Sequence, residues 1–464
     1  MKVVIVGNGP AAVSAVEAIR TVDRDIEITL LSDERHPAYA PNCMENVIRN
    51  DILPEALFYK GGEEFYEAKR VNFLREQEVK KIDAKNKKVI TAKGKEITYD
   101  KCLLAAGAYA FVPPIEGKDL KGVTTAKTLD DALRIRRWVE EGRIKNAVVI
   151  GGGPIGIEDA ETLWHLGIRV SVVEIFDRVL PRMLDHEMGR LYGEILQKET
   201  GISLYLEHQV VAIHGKEWVS AVELRKRGSD KSFTVPADLV ILSTGVRPRT
   251  YLVEGTDIKI HMDHKLNRPA GGVLVNEFQQ TSDPDVYAAG DIASGIDVWG
   301  NHRWIALFPP AQQSGFIAGL NIAGRHAPNP GLVDYNAVKT RTVTAGSGGI
   351  FEDAEEEIRV DKGPYVVKVF LLEGRVRGYQ FVGRKRAEVG EVRNPLVKAL
   401  NGKIKSWREK VIEERGLGLE TSGVLFHTFL KKQLHLSKTH KRAIESFVIR
   451  ALGNPALEVP LFHP

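Results

Sequence analysis

The sequence predicts an α/β protein that contains two parallel-sheet units of one kind, followed by a smaller α+β region. Three observations support this prediction. The ten residues at 3–12, VVIVGNGPAA, nearly repeat as VVIGGGPIGI at 148–157. Each copy joins an apolar strand to a helix, and a second strand followed by an acidic residue comes next, which is the order of a βαβ unit. From about residue 328, short β segments with glycine-rich turns replace this pattern. We therefore predict two Rossmann-like domains.

The composition is that of a globular protein with several domains. The chain has 464 residues, of which 43% are hydrophobic and 27% charged, so a disordered or fibrous protein is excluded. No apolar run reaches the ~18 residues that span a bilayer, and no signal sequence precedes the first strand. Only two cysteines, Cys43 and Cys102, are present, which excludes a disulfide scaffold and a four-cysteine iron–sulfur cluster. We expect a cytoplasmic protein.

The first glycine turn has the features of a diphosphate cradle. Its first glycine permits the tight turn, its second lets the backbone approach a diphosphate, and a small third residue lets helix and strand pack closely. The helix offers its first N–H groups to the anion. After the second strand, Asp33 and Glu34 are both candidates to accept hydrogen bonds from a ribose, and Asp33 is favoured. The residues of this turn are Gly7, Gly9, Pro10, Ala11 and Ala12.

The second glycine turn repeats these features in full, including the acid. Its strand ends in Glu174, whose carboxylate would accept ribose hydrogen bonds and repel a 2′-phosphate, so NADH is expected rather than NADPH. Arg178 nearby weakens this preference without reversing it. Because an acid follows each copy, two loops that merely need glycine do not explain the repeat. The residues of this turn are Gly151, Gly153, Pro154, Ile155 and Gly156.

Three other segments have the shape of a short strand and a tight turn. The stretches YDKCLLAAGAYAFVPPIEG at 99–117 and ADLVILSTGVRPRT at 237–250 are apolar strands that stop at small residues and proline. A third, DVYAAGDIA at 285–293, ends in Gly-Asp, and a helix is predicted to begin near Pro310, where a missing N–H does no harm.

With these motifs in this order, the chain resembles the FAD-dependent pyridine nucleotide oxidoreductases with two dinucleotide-binding domains. That family includes NADH oxidases, coenzyme A disulfide reductases, rubredoxin and ferredoxin reductases, and flavoprotein subunits of electron-transfer complexes. The resemblance implies FAD at the first glycine turn and NAD(H) at the second. It also implies that Glu158 lies near the nicotinamide. The other cofactor-binding positions that it implies are Val79, Ala106, Gly107, Gly245, Gly290 and Asp291.

The resemblance also implies a division of the chain. We expect an FAD-binding domain at 1–114 and 242–327, with the NAD(H)-binding domain inserted at 115–241. A small α+β domain is expected at 328–400 and a helical, basic extension at 401–464. From residue 391 to the end the sequence has thirteen Lys and Arg against seven Asp and Glu.

Cys43 is the candidate redox residue, and its position leaves two alternatives open. In relatives that this chain resembles, one cysteine in this stretch faces the flavin. Here, in YAPNCMENVIRNDI at 39–52, Asn42 takes that place and Cys43 is shifted by one, which rotates a helical side chain by ~100°. Cys43 is therefore either a redox-active thiol or an inert buried one. Cys102, inside an apolar strand, is expected to serve packing only.

The resemblance and the composition together predict an FAD-dependent NAD(P)H:acceptor oxidoreductase. Electrons from NADH would pass through FAD to an acceptor, which we expect to be an acidic iron–sulfur protein or a partner subunit, because the basic tail would favour such an encounter. The alternative is a single-cysteine thiol, coenzyme A disulfide or sulfur reductase, or an NADH oxidase, that uses Cys43. A third reading is a non-enzymatic protein that only senses redox state. We expect no metal site, no nucleic-acid partner, and a homo-oligomer or a subunit of a complex.

Overall fold

The computed structural model describes residues 1–263, 268–362, 365–372 and 375–384. Over these residues the protein is a mixed α/β structure with two parallel sheets, so the predicted fold class is confirmed. The predicted basic extension at 401–464 and the last part of the predicted small domain lie outside the described residues. Across the described ranges, no helix combines the length and apolar character needed to cross a membrane.

The elements follow one another in three stretches of chain. Up to residue 124 they are β1 (Lys2–Val6), α1 (Pro10–Val22), β2 (Glu27–Leu31), α2 (Met44–Ile48), α3 (Glu63–Ala68), β3 (Val71–Leu74), β4 (Val79–Asp83), β5 (Lys88–Thr91), β6 (Glu96–Thr98), β7 (Lys101–Leu104), β8 (Ala108–Ala110) and β9 (Val123–Thr124). From residue 129 to 248 they are α4 (Leu129–Glu140), β10 (Asn146–Ile150), α5 (Pro154–His165), β11 (Arg169–Glu174), α6 (His186–Thr200), β12 (Ser203–Leu206), β13 (His208–Gly215), β14 (Val219–Lys226), β15 (Ser232–Pro236), β16 (Leu239–Leu242) and β17 (Val246–Pro248). The third stretch contains β18 (Ile260–Asp263), β19 (Arg268–Leu274), β20 (Val286–Ala288), β21 (Ala293–Ile296), β22 (His302–Arg303), α7 (Phe308–Ile322), β23 (Tyr335–Lys339), β24 (Val343–Gly349), β25 (Glu356–Lys362), β26 (Tyr365–Leu372) and β27 (Arg375–Arg384).

The first parallel sheet is assembled from distant parts of the chain. Its strand order is β20-β7-β1-β2-β3, so β20 joins strands that precede it by some 180 residues or more. Strand β1 is central, and residues 3–6 are buried on both faces, as the continuous apolar run requires in a parallel sheet. The loop after β1 therefore opens at the carboxyl edge of the sheet, where α/β proteins bind ligands.

The second parallel sheet lies wholly within residues 123–242. Its order is β12-β11-β10-β16-β9, and β10 pairs with β11 and β16 in parallel. The two sheets have the same arrangement: β10 is the central strand of the second sheet, as β1 is of the first. The duplicated glycine turns thus occupy equivalent places in two equivalent sheets.

The remaining strands form antiparallel or mixed sheets. The strands of the C-terminal region pair in the order β23-β24-β27-β26-β25. Strands β8 and β17 pair with each other where the chain leaves the first sheet and returns to it. Smaller sheets are formed by β4-β5-β6, by β13-β14-β15 and by β18-β19-β21-β22.

The hydrophobic core divides in a way that bears on α2. Residues of α1, α7 and the first sheet form one cluster. Helix α2, although it follows β2 in sequence, packs its Met44, Val47 and Ile48 into a different cluster, together with the second sheet and with Val338 and Val343 of the C-terminal sheet. Helix α2 therefore lies on the second-sheet side of the molecule.

Candidate cofactor-binding sites

The first glycine turn is held in a shape that only glycine accommodates at its first position. Gly7 has φ +109°, its N–H donates to the Leu31 carbonyl at 2.8 Å, and a Cβ there would lie 2.2 Å from the Ala105 carbonyl oxygen. By contrast, no atom lies within 4 Å of the position of a Cβ on Gly9, which immediately precedes α1. Pro10 begins the helix, and no side chain caps its first N–H groups. The turn fits an incoming diphosphate.

Close contact between α1 and α7 explains the small residues at the start of α1. Ala11 and Ala12 are buried. A Cβ on Gly315 of α7 would lie 2.1 Å from the Ala11 carbonyl oxygen, and one on Gly290 would lie 3.0 Å from the Ala11 Cβ. The Gly290–Ile292 turn is thereby held against the amino end of α1, which brings the Gly-Asp motif to the first glycine turn.

The two candidate ribose acceptors have different environments. Tyr39 donates its hydroxyl hydrogen to Glu34 Oε2 at 2.7 Å, and burial raises the pKa of the Glu34 carboxyl. Asp33 is 41% exposed and forms an ion pair with Arg249 at 3.0 Å. Both carboxylates have a partner within the protein, so which of them accepts from a ribose stays a prediction, with Asp33 the more exposed of the two. Among the other predicted contacts, Val79 is buried in β4, and Gly107, after the half-buried Ala106, has φ +67° with open space at its Cβ position.

The turn that carries Asp291 reveals a residue that sequence reasoning missed. Burial raises the pKa of the Asp291 carboxyl, and the positive charge of Lys127 opposes that rise. Lys127 is half-buried just before α4, which begins with a capping box between Thr128 and Asp131. The capping signal, T-x-x-D, was visible in the sequence, but nothing in it indicated that the preceding lysine lies near Asp291.

The second glycine turn repeats the geometry of the first. Gly151 has φ +113°, and a Cβ on it would lie 2.3 Å from the Ser243 carbonyl oxygen. A Cβ on Gly156 would lie 2.0 Å from the Gly151 carbonyl oxygen, whereas the space around Gly153 is open. Pro154 begins α5, whose amino end has no side-chain cap, and Ile155 is 48% exposed. This turn also fits a diphosphate.

Glu174 and Arg178 both form contacts within the protein. Glu174 is buried, and its two carboxylate oxygens accept hydrogen bonds from the backbone N–H groups of Gly152 at 2.7 Å and Phe176 at 3.0 Å. Arg178 forms an ion pair with Asp177 at 3.0 Å and donates to the Pro181 carbonyl at 3.2 Å. The Glu174 carboxylate is thus held beneath the second glycine turn, while the Arg178 guanidinium contacts Asp177 and Pro181 instead.

Acidic residues gather where α5 faces the strand end after β16. Asp159 is buried and accepts a hydrogen bond from the Ser243 hydroxyl at 3.1 Å. Burial raises its pKa well above the ordinary value, and the charges of Glu158 and Glu45 add to that rise. Gly245 follows with φ +97°, and its carbonyl accepts from the Phe111 N–H at 2.9 Å. This hydrogen bond joins the segment that follows β8 to the segment that follows β16.

Cys43 lies at the junction between the Pro41–Cys43 turn and α2. Its side chain is half-buried and packs against the cluster that contains α2, the second sheet and part of the C-terminal sheet. Asn42 beside it is exposed. Cys102 is fully buried in β7, and burial raises the pKa of its thiol, in agreement with a packing role. No group of histidine, cysteine and acidic residues suited to a metal ion occurs in the described part of the chain.

Comparison with known proteins identifies the family. Residues 1–315 match the family model described as pyridine nucleotide-disulphide oxidoreductase. The chain is 32% identical to the NADH oxidase of Methanocaldococcus jannaschii over 83% of this chain and 88% of that one. It is 28% identical to the NADH-dependent phenylglyoxylate dehydrogenase subunit epsilon of Aromatoleum evansii over 81% of this chain and 87% of that one. The solved structure of the NAD-dependent persulfide reductase from A. fulgidus superimposes with a TM-score of 0.75 at 27% identity, covering 96% of this chain and 84% of that one.

These matches confirm the predicted family, its FAD and NAD(H) cofactors and its enzymatic character, so the non-enzymatic reading is wrong. Which residue contacts which part of each cofactor stays a prediction. The chain belongs to the pyridine nucleotide-disulphide oxidoreductase family and is an FAD-dependent NAD(P)H oxidoreductase.

Proposed function

We propose that this enzyme passes electrons from NADH, by way of FAD, to a separate redox protein or partner subunit rather than through Cys43 to a disulfide or sulfur substrate. The observation that carries the proposal is the position of Cys43, whose half-buried side chain packs into a hydrophobic core while Asn42 is the exposed residue beside it. The other cysteine, Cys102, is fully buried in a strand. A thiol relay would need an accessible sulfur.

The residues at the two glycine turns would bind and orient the cofactors. Bound FAD accepts a hydride from NADH and can release electrons singly or in pairs. The uncapped N–H groups at the start of α1 and α5 would bind the two diphosphates. Asp33 would accept hydrogen bonds from the FAD ribose, with Asp291 and Lys127 facing the remainder of that cofactor. Glu158 would lie at the nicotinamide end of the second site.

The second site favours NADH over NADPH. A 2′-phosphate would approach the buried Glu174 carboxylate, which repels it. The cation that could compensate, Arg178, is held by Asp177 and by the Pro181 carbonyl. We expect kcat/KM for NADH to exceed that for NADPH by at least tenfold, and steady-state kinetics with both nucleotides would measure the ratio.

Replacement of Cys43 tests the choice of acceptor. In the Cys43→Ser enzyme we expect NADH-dependent reduction of an artificial dye to stay within twofold of wild type, because hydride transfer to FAD and exit to the dye do not use the thiol. A Cys102→Ala enzyme is the matched control for removing the other thiol. Loss of coenzyme A disulfide or polysulfide reduction in Cys43→Ser, from a wild-type rate comparable with its dye rate, would establish the alternative function.

The partner itself is the remaining question. The relative from Aromatoleum evansii is named as a subunit of a dehydrogenase, and an assembly of that kind fits an enzyme that delivers electrons to another protein. Isolation of the native enzyme by an affinity tag, followed by mass spectrometry and iron analysis, would identify an iron–sulfur partner. A preparation that contains only this chain would instead favour the oxidase or reductase alternatives. The acidic character of the partner, homo-oligomerisation, the domain boundaries and a cytoplasmic location stay predictions.

A further inference from the structure

A buried carboxylate on α5 joins the second-sheet region to the C-terminal sheet. Glu161 is 3% exposed. Its two oxygens accept hydrogen bonds from the backbone N–H groups of Arg341 at 2.5 Å and Thr342 at 2.7 Å, in the turn between β23 and β24. Charge-assisted hydrogen bonds of this kind are about twice as strong as neutral ones. The turn is therefore fixed against one face of α5.

The same turn also reaches the segment that carries α2. The Arg341 guanidinium forms an ion pair with Asp51 at 2.7 Å, and Asp51 also pairs with Arg49 at 2.7 Å. Arg49, only 9% exposed, donates in addition to the Thr162 hydroxyl of α5 at 3.2 Å. Three segments distant in sequence thus meet at one place, which we call the Glu161 junction: Glu161, Thr162, Arg49, Asp51, Arg341 and Thr342.

The junction lies one helical turn from the residues proposed to act at the nicotinamide. Glu158 and Glu161 are three positions apart on α5 and so share a face of the helix. Helix α2 contacts α5 and begins at Met44, immediately after Cys43. Helix α2 packs into the core of the second sheet and not into that of the first. Its position relative to the proposed FAD-binding turn therefore depends on contacts such as those of the Glu161 junction.

We propose that Glu161 is a positioning residue for hydride transfer: by clamping the turn at 340–342 it sets the placement of α5 and α2, and hence of the nicotinamide, relative to the flavin. The inference rests on the proposed location of NAD(H) at the amino end of α5. It does not depend on which acceptor receives the electrons, because hydride transfer to FAD precedes their exit.

A second link between the same two regions provides a matched control. Lys368 of β26 is 5% exposed and forms ion pairs with Asp185 and Glu187 at the start of α6, at 2.9 and 2.7 Å, and with Glu357 at 3.1 Å. This cluster also joins the C-terminal sheet to the second-sheet region, but through α6 instead of α5. If the links only hold the regions together, variants at the two places should behave alike.

The test compares Glu161→Gln with Glu187→Gln in the FAD-loaded enzyme, because Glu187 of α6 pairs across the regions with Lys368. Glutamine keeps the size of the side chain but presents an NH₂ group to a backbone N–H that Glu161 satisfies. We expect Glu161→Gln to lower the rate of flavin reduction at saturating NADH at least tenfold, with the affinity for NAD⁺ measured by calorimetry changed less than threefold. Hydrogen exchange of the α2 and α5 amides should rise. Glu187→Gln should leave the rate within twofold and exchange in α2 unchanged.

Equal effects of the two substitutions on melting temperature, with both reduction rates within twofold of wild type, would overturn the proposal. If Glu161→Gln does not fold, Glu161→Asp replaces it, because the shorter side chain keeps the charge but draws the carboxylate away from the Arg341 and Thr342 N–H groups. That variant should lower the reduction rate at least threefold and raise exchange in α2, and an unchanged rate would count against the junction. Absence of NAD⁺ binding by the wild-type enzyme would instead contradict the proposed location of the second cofactor.

Discussion

At the scale of single residues, the two glycine turns depend on where each missing side chain would lie. Gly7 and Gly151 both adopt φ values above +100°, and a Cβ on either would meet a backbone carbonyl of the neighbouring strand segment. Gly9 and Gly153 face open space instead. Gly7 and Gly151 are therefore required for the shape of the turns, whereas Gly9 and Gly153 leave room for a ligand.

Replacing Gly151 by alanine should disrupt both stability and the second site. Alanine in the left-handed region costs about 1–2 kcal/mol, and the 2.3 Å approach to the Ser243 carbonyl oxygen forces the strand end to move. Gly167→Ala is the control, because Gly167 has φ +78° but no atom within 4 Å of its Cβ position. We expect only Gly151→Ala to weaken NAD⁺ binding at least tenfold in calorimetry. Equal losses of binding in both variants would show that strain alone is responsible.

Asp159 should make stability depend on pH in a defined direction. Its folded-state pKa is raised well above 3.8 by burial, so folding favours the neutral carboxyl, and stability is lost as pH rises through the folded pKa. Asp159→Asn keeps an oxygen that accepts from Ser243 and removes the titration. We expect the melting temperature of this variant, relative to wild type, to increase as pH rises above the ordinary carboxyl pKa and to level off once the wild-type Asp159 ionises in the folded protein.

Asp285→Asn should change the pH dependence of stability in the opposite direction. Hydrogen bonds and ion pairs with Lys101 and Lys87 lower the pKa of Asp285, so its contribution is present above its ordinary pKa and is lost on acidification. This variant should be less stable than wild type at neutral pH, by a margin that shrinks towards pH 3.

For the Asp159 prediction, a melting temperature of Asp159→Asn that follows wild type at every pH would contradict the neutral buried carboxyl.

At the scale of elements, helix α7 supports the first glycine turn, the proposed FAD site, by approaching α1 without side chains between them. Gly315 and Gly319 lie one turn apart, and Cβ atoms there would come within 2.1 Å of the Ala11 and 2.4 Å of the Ala15 carbonyl oxygens. Gly315 faces the first turn of α1, and Gly319 faces the second. The two contacts are alike in geometry but differ in distance from the cradle.

This difference predicts different outcomes for Gly315→Ala and Gly319→Ala. Both substitutions overpack the helix interface, which typically costs about 1–3 kcal/mol, so both should lower the free energy of unfolding. Only Gly315→Ala should displace the amino end of α1 and weaken FAD binding at least tenfold. Urea unfolding and fluorescence titration of the apoprotein with FAD measure the two effects. Unchanged FAD affinity in Gly315→Ala would mean that α7 stabilises α1 without shaping the cradle.

At the scale of the whole molecule, charged contacts join the C-terminal sheet to the second-sheet region. The Lys368 cluster buries one ammonium among three carboxylates, and Gln380 accepts from the Asp185 N–H at 3.0 Å close by. Removing one partner of a buried ion pair is costly because the remaining charges keep their desolvation. The arrangement specifies how the two regions dock.

Lys368→Met should destabilise the protein by about 1.5–3 kcal/mol, measured by urea unfolding, because the three carboxylates are 21–48% exposed and stay partly solvated. The companion variant Lys368→Met with Glu357→Gln removes one of the three uncompensated carboxylates, so it should recover part of the loss. A double variant as unstable as the single one would show that the packing of the lysine stem, and not its charge, carries the effect.

The sequence by itself determined the fold class, the two glycine turns, the family and the cofactors. These follow from local signals, since a βαβ unit with its glycine turn and acid is contained within about 30 residues, and two copies in order identify the architecture. Asp33 is favoured over Glu34 from the sequence, but only the folded chain shows their partners, which are Arg249 for Asp33 and Tyr39 for Glu34.

Other features were decided by the tertiary structure alone. The packing of Cys43 on the second-sheet side and the meeting of Glu161 with the turn at 340–342 join residues more than 100 positions apart. Periodicity and spacing report a side chain's face on its own element but not which distant element covers that face. Such contacts depend on how the sheets and helices pack against one another, and that packing leaves Cys43 half-buried and joins α5 to the turn at 340–342.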